Sequence, residues 1–307
     1  MMKNWHLRRR APALAARAQV IQEIRRFFIE GGFLEVETPL RIPAPAPESH
    51  IDPVTSEGWY LHTSPELCMK RLLAAGYQKI FQVCRCWRGG ERGIRHLPEF
   101  TMLEWYRGMG DYRDLMKDCE GLIRRVAGSL KTGDTINIGE TLVSLTSPWE
   151  RLSVREAFLR HTNISMEQAL DEDRFDELMI SHIEPQLGID KPVFLLDYPA
   201  ERGALARLKS DDSTLAERFE LYIAGIELAN GFSELTDAQE QRARFLQAAS
   251  EKESRGAPPS PMPERFLEEL DLMPPSAGIA LGLDRLVMVL LDKQTIDEVV
   301  AFTPEEL

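Results

Sequence analysis

The sequence predicts an α+β fold in which an antiparallel β-sheet is flanked by helices. Two observations carry this expectation. Helical and strand-like periodicities are interspersed along the 307 residues, and the strand candidates KIFQVCRCW and EFTMLEWY pair as a long hairpin across the loop GGERGIRHLP. A sheet built only of parallel βαβ units has no place for such a hairpin.

The elements follow in order. From Ala13 to Gly31, Leu14, Ala18, Ile21, Ile24 and Phe28 recur at helical spacing, and Gly31–Gly32 closes the helix. FLEVETPL alternates briefly and stops at Pro39, and RIPAPAPESHIDPV reads as a loop. SPELCMKRLLAAG is a helix with Ser64 as N-cap, Pro65 at the first helical position and Glu66 in the first turn. After the hairpin, DYRDLMKDCEGLIRRVA is helical, GDTINIGETLV a small hairpin, and SVREAFLRHTN and SMEQALDEDRFDELMISHIEPQL helices or helical turns. PVFLLDYP is a buried strand. RFELYIAGIELANGFSEL is strand-like, with Gly225 and Gly231 marking a bend or bulge. Asp237 to Arg255 is helical, RGAPPSPMPE is a loop, and SAGIALG leads a strand into the apolar helix LDRLVMVLL.

Bulk properties narrow the function classes. Lys+Arg 37 against Asp+Glu 49 gives a formal charge of −12, which argues against a protein that wraps nucleic acid. No window is long and apolar enough for a membrane span, and the basic N-terminus lacks the apolar run of a signal peptide, so the expected location is the cytoplasm. Four cysteines are too few for a disulfide framework. Cys84 and Cys86 form a lone CxC pair that reads as small buried side chains on a strand, not as a metal site.

Period two places Phe100, Met102, Glu104 and Tyr106 on one face of their strand. A ring, a carboxylate and a phenol in that order suit a planar aromatic ligand and a cation, and Arg88 at the end of the partner strand suits an anion. The competing reading is a solvated sheet face. Glu220, Glu227, Asn230 and Glu234 form a second cluster, suited to a divalent cation or an ammonium group. Glu227 joins its face only if the alternation breaks near Gly231. In GIALGLDRLVMVL, Gly278, Ala280 and Gly282 permit close approach to the backbone. Asp284 is placed to cap the helix, and Arg285 in its first turn opposes the helix dipole unless an anion is shared there. There is no P-loop and no dinucleotide fingerprint. The set points to electrostatic chemistry on a phosphorylated ligand.

These segments also carry a resemblance. GFLEVETPL, FQVCRCWR with RHLPEFTMLE, and GLDRLVMVL resemble, in order, the signature motifs of class II aminoacyl-tRNA synthetases. IELANGFSEL and TSPELCMKR are similar to the lysyl branch. The resemblance runs from Ala13 to the C-terminus and implies a catalytic domain over 13–307 behind a run-in of 1–12. An anticodon-binding domain is not expected, so the chain resembles the stand-alone lysyl paralogues that join (R)-β-lysine to elongation factor P. That implies ATP and Mg²⁺ as cofactors, β-lysine and elongation factor P as substrates, a homodimer, no tRNA and no membrane. The alternatives are a truncated lysyl-tRNA synthetase acting on tRNA and a non-catalytic synthetase-like binding protein.

Residue by residue, the resemblance implies that Arg88 grips the α-phosphate and the substrate carboxylate, while Arg285 holds the γ-phosphate; these form the catalytic pair. His96 would lie near the triphosphate and Phe100 under adenine, with Leu97, Leu228 and Gly282 lining the nucleotide. Glu220 and Glu227 would bind magnesium, Glu227 also facing ATP. Glu66, beside Ser64 and Pro65, would take the amino group nearest the reacting end. Glu104, Tyr106 and Glu234 would hold the side-chain ammonium, with Asn230 nearby. Ser64 and Ala280 stand where lysyl-tRNA synthetases tend to carry alanine and glycine. The family often reads Arg–Asn–Glu where this chain has Arg88–Gly89–Gly90–Glu91, so Glu91 is expected to reach ATP through the double glycine.

Overall fold

The computed structural model describes residues 5–307. Helix α1 spans Trp5–Glu30 with Pro12 inside it, so it begins well before the Ala13 start that apolar spacing suggests. A helix-interior proline forfeits one backbone bond. Arg10, tied to Glu306 at 2.6 Å and to the Ala301 carbonyl at 3.1 Å, holds these early turns against the C-terminal segment. Residues 1–4 of the expected run-in lie outside the described residues.

The main sheet has eight strands: β1 Leu34–Glu35, β2 Lys79–Trp87, β3 Glu99–Gly108, β4 Glu150–Ser153, β5 Val193–Pro199, β6 Leu215–Ile223, β7 Ile226–Ser233 and β8 Ser276–Gly282. Their order is β1-β2-β3-β8-β7-β6-β5-β4. The six inner strands are antiparallel, and only the edge strands β1 and β4 join in parallel. Strand β4 escaped the sequence reading because it is short and polar at its start. The 41–61 region is also more regular than a loop: Arg41–Ile42, Trp59–Leu61 and Val54–Ser56 pair into a small separate sheet.

Alternation sorts the two faces of the main sheet. Phe81, Leu103, Trp105, Phe219, Ile279 and Leu281 lie in the largest core cluster with α1, with α3 (the helix Tyr112–Ser129 in this chain), and with the apolar helix Leu283–Leu290. Phe28 of α1 stacks on Phe81 at 4.9 Å and meets Trp105 at 5.1 Å. Burying each such ring contributes about 1.5–3 kcal/mol, which fixes the strand register against a slip that would turn the rings to the other face. That register puts Gln82, Cys84 and Cys86 of β2, and Met102, Glu104 and Tyr106 of β3, on the opposite face.

The helix Glu66–Ala74, α2 here, starts one residue later than expected: Pro65 is the cap residue, and Ser64 Oγ accepts from the Glu66 amide at 3.0 Å. Between β6 and β7, Ala224 and Gly225 both take positive φ, the pattern of a two-residue type I′ turn. The bulge is not at Gly231. Leu221 aligns with Ala229 while Tyr222 aligns with Glu227, so Leu228 is the extra residue. Gly231 is small for another reason, since a Cβ there would press on Phe219 and Ile279.

Candidate active site

The face opposite the core carries two charged basins. The first is a cleft lined by Glu48, Arg88, Glu91, Arg95, His96, Phe100, Glu227, Asn230, Ala280, Gly282 and Arg285, with Leu97 and Leu228 at its floor. Arg88 stacks over Phe100, its guanidinium 5.2 Å from the ring centre. Its Nε is buried and has no hydrogen-bond partner among the described residues. Such a donor costs about 1–3 kcal/mol until an acceptor arrives.

Arg285 sits in the first turn of Leu283–Leu290, as the sequence predicts. It donates to the Glu227 carbonyl at 2.9 Å, to Glu227 Oε2 at 3.1 Å and to His96 Nε2 at 2.5 Å. Burial and the Arg285 charge hold the imidazole of His96 below its usual range, so it is a neutral acceptor. Asp284 does not cap its helix. It is buried against Arg17 at 2.5 Å and accepts from the Thr101 amide at 2.7 Å, which ties α1, β3 and the helix start together and thereby orients Arg285.

The loop between β2 and β3 is anchored at both ends. The Gly89 amide donates to the Asp52 carbonyl at 2.6 Å, and Gly90 takes φ +74°. Arg92 pairs with Asp297 and Glu305, each at 2.8 Å. Glu91 and Glu48 face the same cleft. Burial pushes the Glu48 carboxyl up to about 7, against the pull of Arg88.

The bulge at Leu228 brings Glu227 toward Glu220, and the turn Met179–Ile183 delivers Glu184 beside both. Glu220 accepts from the hydroxyls of Tyr198 at 2.7 Å and Tyr222 at 2.6 Å and pairs with Arg218 at 2.5 Å. Burial, with the charges of Glu220 and Glu227, raises Glu184 to about 7. The crowded carboxylates of Glu184, Glu220 and Glu227 are of the oxygen-donor type that Mg²⁺ takes, and a cation beside them would relieve their repulsion. Asn230 Oδ1 accepts from Arg218 Nε at 3.1 Å, so the Asn230 side chain leans toward this cluster more than its sequence position suggests.

The second basin is an acidic cage. Glu104 is buried and accepts from Ser64 Oγ at 2.6 Å and Tyr106 Oη at 2.8 Å. Burial first, and the Glu66 charge second, push its carboxyl well above the usual range. Glu234 is fully buried, and burial raises it to about 8 even against the pull of Lys70. Lys70 bridges Glu66 and Glu234, each at 2.6 Å, and lies 5.2 Å from the Phe232 ring centre. Burial opposes its charge, yet the carboxylates of Glu234 and Glu66 outweigh that and hold its pKa raised. Gly278 forms the floor, where a Cβ would overlap the Tyr106 ring and the Glu234 carboxylate. Ala280 aligns with Glu104 on one side and Asn230 on the other, bridging cage and cleft.

Most candidates named from the sequence therefore line the cleft or the cage, whereas Asp284 is turned to Arg17 of α1 and Leu97 and Leu228 also pack into the core cluster. The residues missed are Lys70, Glu48 and Glu184. Lys70 follows Glu66 at the spacing of an ordinary helical ion pair, and the other two come from a loop and a helical turn with no motif around them.

The class II tRNA synthetase family (D, K and N) matches residues 4–306. The chain belongs to it. Among curated relatives, proteins named elongation factor P–(R)-β-lysine ligase match at 40% identity. The one from Salmonella typhi covers 98% of this chain and 97% of its own length. The one from Klebsiella pneumoniae covers the same shares, and that of Proteus mirabilis covers 94% of each. The two basins thus lie on one face of the main sheet of a class II synthetase fold.

Proposed function

We propose that this chain activates (R)-β-lysine with ATP and transfers it to a lysine of elongation factor P. The acidic cage carries the reading. Glu66 and Glu234 share the ammonium of Lys70 while Glu104 meets the hydroxyls of Ser64 and Tyr106, which leaves two negative charges uncompensated when all are ionised. A diamino acid brings two ammonium groups, and its carboxylate then points along Ala280 toward the orphaned Nε of Arg88. The names of the relatives supply the acceptor and the β-position of the amine.

Activation joins a carboxylate oxygen of β-lysine to the α-phosphorus of ATP and breaks the bond to pyrophosphate. The nucleophile is already ionised and needs no base. Arg88 neutralises charge between the carboxylate and the α-phosphate, and Arg285 with neutral His96 grips the outer phosphates. Phe100 offers a flat surface for adenine. Glu220, Glu227 and Glu184 would hold Mg²⁺, which would neutralise the leaving pyrophosphate. In transfer, the acceptor amine bonds to the acyl carbon, AMP leaves, and the amine gives up a proton, for which Glu48 is a weakly acidic carboxyl in the cleft. The reading carries with it a cytoplasmic homodimer that charges no tRNA.

ATP–pyrophosphate exchange driven by (R)-β-lysine tests the first step. Arg88→Ala and Arg285→Ala should each lose at least about a hundredfold. Near-wild-type exchange in either variant contradicts its phosphate role.

A further inference from the structure

The thiols of Cys84 and Cys86 lie on the site face of β2, across from Met102 and Phe100, and the proposed reaction uses neither. Their sulfurs are 3.9 Å apart, and Cys86 Sγ is 3.9 Å from His62 Nε2. All three ligand atoms fall within 4.8 Å of one another. His62 comes from the segment after Trp59–Leu61, and its carbonyl is fixed by the Trp87 amide at 3.0 Å. The ring is 1% exposed, and its Nδ1 has no hydrogen-bond partner among the described residues.

We propose that His62, Cys84 and Cys86 form a binding site for a thiophilic divalent cation, Zn²⁺ above others, beside the acidic cage. With Zn–S near 2.3 Å and Zn–N near 2.0–2.1 Å, tetrahedral ligand atoms stand roughly 3.5–3.8 Å apart. The two spacings that Cys86 makes, 3.9 Å each, need only a few tenths of an ångström of closure, and the third pair already lies within 4.8 Å. Two sulfurs and an imidazole select Zn²⁺ or Co²⁺ over Mg²⁺, which prefers oxygen donors. The three ligands leave a fourth tetrahedral position for water.

The proton balance is explicit. Nε2 stands 2.7 Å from the Arg85 carbonyl, which only accepts, so Nε2 carries the ring proton in the metal-free form. Binding releases both thiol protons to solvent, breaks the Nε2–H hydrogen bond to the Arg85 carbonyl as the ring turns toward the sulfurs, forms the two Zn–S bonds and one Zn–N bond at Nε2, and moves the ring proton to the partnerless Nδ1. The site is close to the substrate: His62 precedes Ser64 by two residues, and Ser64 holds Glu104. Gln82, one strand repeat from Cys84, aligns with Glu104. The sequence concealed the site because its third ligand lies far from the CxC pair along the chain.

Reduced full-length protein titrated with Co²⁺ tests this. One equivalent should produce a thiolate-to-cobalt charge-transfer absorption, which Zn²⁺ abolishes and excess Mg²⁺ leaves unchanged. Cys84→Ser and Cys86→Ser should lose the absorption and weaken Zn²⁺ binding at least about tenfold, with thermal melting unchanged. No charge-transfer absorption in the wild type, or equal Zn²⁺ affinity in all three proteins, would mean buried thiols only and overturns the proposal.

Discussion

Lys70 Nζ lies 2.6 Å from Glu234 Oε2, and both side chains are completely shielded from solvent. The pair sits among Glu66, Glu104 and Tyr106, so the cage holds more acid than its one cation can neutralise. Burial therefore keeps Glu104 and Glu234 raised in the free protein, Glu234 to about 8.

A pH dependence of binding follows. A diammonium ligand prefers the ionised cage, so binding expels protons that the free protein holds. Affinity for β-lysine should rise from pH 6 to pH 8, as pH approaches the free-state value of Glu234, with up to a tenfold gain per pH unit per proton released. Calorimetric titrations in two buffers of different ionisation enthalpy check both points. A flat profile with no proton release contradicts the cage.

Gly278 offers a steric test of the same cage. In Gly278→Ala the new methyl overlaps the Tyr106 ring and the Glu234 carboxylate, where neither neighbour is solvent-exposed enough to move aside. Binding of β-lysine should fall at least about a hundredfold, an effect on the order of 3 kcal/mol from overpacking, while ATP binding stays near wild type. Loss of both together would show a folding defect, which a thermal melt would reveal.

Much of this was legible in the sequence. Alternation along EFTMLEWY placed Glu104 and Tyr106 together and turned Trp105 to the core, because one buried face admits only one register. The strand-to-helix junction placed Arg285 correctly, but Asp284 was misread, since a cap and a buried cross-link to Arg17 share the same local pattern. The break that carries Glu227 into the site is expected at or near Gly231, because glycine is the usual local sign of a bulge. The pairing of β6 with β7 puts it at Leu228, and only the partner strand reveals that. Lys70 and Glu184 meet their partners through tertiary packing, to which single-chain periodicity is blind.

On the proposed function, substitution of Glu48 should separate the two chemical steps. Its carboxyl, raised to about 7 by burial, titrates where a base for an acceptor amine must work. Glu48→Gln should leave β-lysine-dependent pyrophosphate exchange within about twofold of wild type and slow transfer about a hundredfold or more. Single-turnover transfer from preformed adenylate measures this. Equal slowing of both steps would assign Glu48 to the Arg88 environment instead.

Intact-mass measurement of elongation factor P decides whether β-lysine is transferred to a protein. The purified chain, ATP and Mg²⁺ are incubated with the factor and either (R)-β-lysine, α-lysine or no amino acid, beside a tRNA charging assay. One added β-lysyl mass on the factor, a smaller yield with α-lysine, and uncharged tRNA are expected. Charged tRNA with an unmodified factor would contradict the proposed function.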